Sequence, residues 1–115
     1  MHKIDEVQSF IDGFCMSDQI PVMEKDLEKA IGYNQWIGML LNDAVCDYEK
    51  HYAEQLSRLL SLEAETETTR KAKLAAWTAE KKRNVADLKQ LKGSLRAIQM
   101  ALMQAIKTRR TEPYR

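Results

Sequence analysis

Leu88, Leu91, Leu95, Ile98, Leu102 and Ala105 recur at alternating steps of three and four residues. On an α-helix this spacing lines the side chains along one seam, because 3.6 residues make a turn. Such a seam is not stable in water and needs a second surface of similar length to cover it. The pattern extends upstream and predicts a helix over 69–110. Its two seam positions hold Leu74, Lys81, Leu88, Leu95, Leu102 and Trp77, Asn84, Leu91, Ile98, Ala105. Lys107, Arg109 and Arg110 suit the negative end of its dipole, and Pro113 stops it. Only four Gly and two Pro occur in 115 residues, too few to punctuate an all-β chain.

The chain itself offers a covering surface. Residues 22–64 keep a helical period, with Ile31, Gly38, Val45, Tyr52, Leu59 at one seam position and Leu27, Asn34, Leu41, Tyr48, Gln55, Leu62 at the other. Ile37, Leu40, Ala44, Leu56 and Leu60 widen this seam into a face suited to more than one neighbour. Before it, Ile4, Val7, Phe10, Ile11 and Phe14 predict a short amphipathic helix over 3–15. Asp18 is a candidate N-cap for the restart, with Pro21 in the first turn.

Residues 63–69 carry Thr66, Thr68 and Thr69, which lower helix propensity and offer N-caps, so they read as a tight connection. The alternative is one continuous helix of about 90 residues, roughly 135 Å long, which requires a partner chain. With the connection, residues whose numbers add to about 132 face each other. Leu59 then opposes Leu74, Val45 opposes Leu88, Leu41 opposes Leu91, Ile37 opposes Leu95, and Leu27 opposes Ala105. Asn34, Gln55, Lys81 and Asn84 are polar seam positions that fix register at some cost in stability. The expected fold is all-α: one helical domain over 1–115, a short N-terminal helix followed by a long, coiled-coil-like antiparallel hairpin. Leu41, Val45, Leu88, Leu91, Leu95, Ile98 and Leu102 form the core or oligomer seam. At this size the hairpin buries little, so a homo-oligomer is expected.

The formal net charge of +1 hides a division. Residues 1–68 hold five basic and fourteen acidic residues, a charge of −9, whereas residues 69–115 hold thirteen basic and three acidic ones, a charge of +10. Asymmetry of this kind points to partners. Lys71, Lys82, Lys89, Lys92, Arg96 and Lys107 are separated by steps of 11, 7, 3, 4 and 11, all helix-face repeats, and so form a stripe. Either Glu28, Asp43, Asp47, Glu49 and Glu54 of the acidic segment neutralise it, or it faces an external polyanion such as single-stranded DNA.

Aromatic residues also share helix faces: Tyr33 with Trp36, and Tyr48 with Tyr52. They belong to the core, to a hot spot for another protein, or to a platform for unpaired bases. Trp77, Trp36 and Tyr33 are the candidate partner-facing rings.

Catalytic and metal chemistry find no support. The chain has no phosphate-binding glycine loop, nucleophile elbow or HExxH motif, and no enzyme activity is expected. Cys15, Cys46, His2 and His51 lack metal-ligand spacing, and the cysteines read as reduced, small core residues. No cofactor or metal is expected. Neither a membrane span nor a signal peptide is evident, giving a cytoplasmic protein as the expectation.

Tyr33-Asn34-Gln35-Trp36-Ile37, Thr69-Arg70-Lys71-Ala72-Lys73-Leu74 and Ala105-Ile106-Lys107-Thr108-Arg109-Arg110 resemble segments of the T-even phage recombination mediator family, over residues 24–110. The spacing between the aromatic and closing segments is shorter here, and the 3–15 helix has no counterpart. The resemblance implies a helical, oligomeric accessory protein of a bacterial host cell that binds single-stranded DNA and helps load a recombinase. DNA contacts would come from the basic stripe and partner contacts from the helix ends. The competing expectation is an adaptor or inhibitor of a host or phage protein, for example of the anti-defence or anti-CRISPR type. It rests on the wide apolar face, the aromatics, and Met100 and Met103.

Overall fold

The computed structural model describes residues 3–61 and 66–111. They form three helices: α1 (Lys3–Gly13), α2 (Ile20–Leu60) and α3 (Glu67–Thr111). The long helices α2 and α3 pack against each other as a hairpin. His2, the expected seam residue Leu62, residues 63–65 of the expected connection and the Pro113 stop lie outside the described residues.

The helix ends follow from local hydrogen bonding. Ser17 Oγ accepts from the Gln19 amide at 3.1 Å. The Gln19 carbonyl then accepts from Met23 N at 3.0 Å, the first bond of α2. The boundary therefore lies at Gln19, and the expected cap, Asp18, sits one residue too early. Pro21 falls in the first turn, where a missing N–H costs nothing. At the far end, Ser61 Oγ donates to the Arg58 carbonyl at 2.6 Å and closes the last turn of α2. Thr66 opens α3: its Oγ1 accepts from Thr69 N at 3.2 Å and its carbonyl from Arg70 N at 2.9 Å.

The structure divides into two compact units, Met1–Gly38 with Gln90–Arg115, and Met39–Lys89. In the first, Met23, Leu102 and Ile106 form a buried cluster flanked by Phe14, Ile20, Leu27, Ile98 and Ala105. Leu27 and Ala105, opposed in the sequence register, share this cluster. Ile37 and Leu95, also opposed, are both fully buried. Helix α1 buries Val7 and sets Phe10 edge-on to Tyr33, with ring centroids 5.4 Å apart. In the second unit Leu59, Leu74, Leu88 and Thr78 are buried, and Thr78 Oγ1 is satisfied by the Leu74 carbonyl at 2.8 Å.

The seam of α3 follows the sequence pattern closely. Leu74, Leu88, Leu95 and Leu102 are buried, half-buried Lys81 occupies the remaining heptad position, and Leu91 and Ile98 are half-buried beside them. On α2 Leu59 of the expected seam is fully buried, whereas in the first unit the buried line is Met23, Ala30 and Ile37, one position before the expected Ile31 and Gly38. Ile31, Leu41 and Val45 are half-buried. In the first unit α2 also carries α1, and burial shifts toward that additional neighbour.

Two of the polar seam residues, Asn34 and Lys81, bond across the hairpin. Lys92 Nζ donates to Asn34 Oδ1 at 2.7 Å. A Cβ added at Gly38 would lie 3.2 Å from the same Nζ, so glycine leaves room for this lysine beside α2. Lys81 Nζ donates to Asp47 Oδ2 at 2.6 Å. The two cysteines are exposed, against the expectation of small core residues. Cys15 follows the end of α1, and Cys46 sits on the solvent side of α2.

Leu95→Ala removes a fully buried side chain and is expected to cost about 2–5 kcal/mol in a denaturant titration followed by circular dichroism. Met100→Ala, at an exposed site on the same helix, is expected to stay within about 0.5 kcal/mol.

Candidate nucleic-acid interface

The basic residues of α3 divide by what the hairpin register offers them. Lys81 and Arg110 reach acids of α2, namely Asp47 and Glu24. Lys71 pairs locally, with Glu67 one turn earlier at 3.6 Å, and both side chains are largely exposed. Lys92 is half-buried on the neutral Asn34. Lys82, Lys89, Arg96 and Lys107 are exposed and have no ion pair or hydrogen bond among the described residues. The acidic helix thus takes up α3 charge at the seam and at the helix end, leaving these four cations in solvent.

In the second unit two of the stripe residues border a groove. It is a solvent-open space of about 640 Å³. Ala75, Ala79 and Ala86 of α3 keep its floor low, and Tyr48 and Tyr52 of α2 form one wall. Lys71, Lys82 and Arg83 complete the rim, and no acidic residue among the described ones lines it. The two tyrosine rings lie 6.1 Å apart at 43°. The sequence places both tyrosines on one face. The groove they share with α3 is signalled only by alanines at 75, 79 and 86 among basic residues, a pattern legible once the register is known.

The three candidate partner-facing rings have contacts inside the chain. Tyr33 packs on Phe10, and Lys3 Nζ lies 5.0 Å from the Trp36 ring centroid. The Arg58 guanidinium stands 4.4 Å from the Trp77 ring centroid, and His51 Nε2 lies 3.0 Å from the Trp77 carbonyl oxygen. In the first unit a second groove is lined by Ile31, Gln35, Met100 and Met103, with Lys92 and Arg96 at its edge. Met100 and Met103 are about half exposed, at 57% and 48%. Among the described residues no helix is long and apolar enough to cross a membrane.

Comparison with family models, curated proteins and solved structures returned no match.

The Asp47–Lys81 pair gives the interface a pH signature. The hydrogen bond from Lys81 holds the Asp47 carboxyl below its ordinary 3.8, outweighing desolvation. The same bond holds the Lys81 ammonium above its ordinary 10.5. The depressed carboxylate contributes stability above pH 3.8 that is lost as pH falls through its lowered value, and the ammonium contributes below pH 10.5. Asp47→Asn is therefore expected to destabilise the chain at neutral pH. Its deficit should close as pH drops below 3.8 or rises beyond 10.5, read from denaturation midpoints.

Proposed function

We propose that this chain is a non-enzymatic accessory protein that binds single-stranded nucleic acid through the cations of α3 and assists a recombination or replication partner in a bacterial cell. The observation that carries this reading is that Lys82, Lys89, Arg96 and Lys107 have no acidic partner among the described residues, although α2 is acidic and packs against α3. Exposed ion pairs contribute only ~0–1 kcal/mol each, so the fold has no need of these four charges. Phosphates give such charges a use, because neutralising them releases condensed counterions. The partner part of the proposal rests on the resemblance of residues 33–37, 69–74 and 105–110 to the T-even phage recombination mediator family. That family also motivates placing the protein in the host cytoplasm.

Exposed apolar residues favour association with protein. Met39, Leu60, Met100 and Met103 are 67%, 61%, 57% and 48% exposed. We propose that the chain forms a homo-oligomer, so light scattering at micromolar concentration should give a mass above 13.3 kDa. A strict monomer contradicts this part. The same Met100–Met103 surface supports the second reading, an adaptor or inhibitor acting on a host or phage protein, since methionines suit adaptable contacts. Met100→Ser with Met103→Ser separates the two readings: it weakens protein contacts and leaves single-strand affinity unchanged.

Fluorescence anisotropy with a labelled single-stranded oligonucleotide, repeated across salt, tests the main reading. Binding should be strongest at low salt. The triple variant Lys82→Ala, Lys89→Ala, Arg96→Ala should lower the slope of log affinity against log salt by about 2, at roughly 0.7 per phosphate contact. Absence of binding at low salt overturns the reading.

A further inference from the structure

We infer that the groove bounded by Tyr48 and Tyr52 is a base-stacking subsite that takes unpaired bases of a single strand, with Lys71, Lys82 and Arg83 holding the adjoining phosphates. The inference rests on the nucleic-acid reading above and makes it specific. Cations alone do not distinguish a single strand from a duplex, because both present phosphates. Rings do, since the faces of paired bases are already stacked on their neighbours and are out of reach.

The two tyrosines are poised for this role. Tyr52 is 39% exposed, and the 43° tilt between the rings keeps them from closing face to face. The low floor set by Ala75 and Ala79 gives a flat base room to lie against α3. Charge agrees with shape: three cations border the space and, among the described residues, no carboxylate lines it, although Glu67 pairs with Lys71 at its end, so the net field at the rim favours an anionic ligand. The neighbouring groove at Asp47 mixes Glu80 and Asp87 with Lys81 and Arg83 and has no such polarity. Tyr52 is exposed, and Tyr52→Phe keeps its ring, so the Ala and Phe variants together separate loss of contact with ligand from loss of packing.

The test uses the full chain and anisotropy with three labelled probes: oligothymidylate, an abasic oligonucleotide of equal length, and a duplex. The chain should prefer oligothymidylate over the abasic strand by about fivefold or more, the effect of stacking a base on an aromatic ring. Tyr52→Ala should abolish this preference without changing affinity for the abasic strand, and Tyr52→Phe should retain it. Equal affinity for the thymidine and abasic strands, equal affinity for duplex, or full retention by Tyr52→Ala overturns the stacking subsite while leaving the electrostatic reading intact. Competition by polyglutamate as effective as by oligothymidylate overturns it in favour of an acidic protein surface. No binding to any probe overturns both readings.

Discussion

The packing of α2 against α3 is the interaction on which everything else depends. Neither long helix can leave its apolar seam in water, and neither has another partner of matching length within the chain. The line Leu74, Leu88, Leu95 and Leu102 commits one narrow stripe of α3 to this contact. A seam this narrow leaves most of the circumference of α3 outside. What lies there is a surplus of lysine and arginine.

The charge division makes sense in that light. The chain holds −9 in one half and +10 in the other, and two ion pairs join α2 to α3 at Asp47–Lys81 and Glu24–Arg110. Asp47 with Lys81 and Glu24 with Arg110 lie where the register brings opposite charges together. Their residue numbers add to 128 and 134, on either side of the 132 expected from the apolar pattern. Away from the seam Lys82, Lys89, Arg96 and Lys107 of α3 are exposed and have no acidic partner among the described residues. Fold stability comes from the leucines, and the outward charge is left for other work. That division of labour underlies our proposal of a polyanion partner.

Much of this was legible in the sequence. The heptad positions of α3 located its buried face because they contain Leu at nearly every step and face one neighbour. On α2 the pattern located Leu59 and the Ile37–Leu95 level but not Met23 and Ala30, because α1 also packs on this helix in the first unit and periodicity alone does not mark a second neighbour. Asp18 has the residue type of a cap, but the first helical bond of α2 is accepted by the Gln19 carbonyl, with Ser17 holding the Gln19 amide. The aromatic residues were the hardest to assign. Tyr33, Trp36 and Trp77 have the composition of a partner surface but are engaged by Phe10, Lys3 and Arg58, contacts distant in sequence. Tyr48 and Tyr52 gain meaning only beside Lys71, Lys82 and Arg83, which the hairpin brings within reach.

The central claim is that the outward cations of α3 and the tyrosines beside them receive a single nucleic-acid strand. Photo-crosslinking to a halogenated single-stranded oligonucleotide, followed by mass-spectrometric mapping of the attached peptides, tests it most directly. The account predicts attachment at Tyr48 or Tyr52 and along the Lys71–Arg96 stretch of α3. Attachment confined to α1, or no attachment under conditions of low salt, would contradict it.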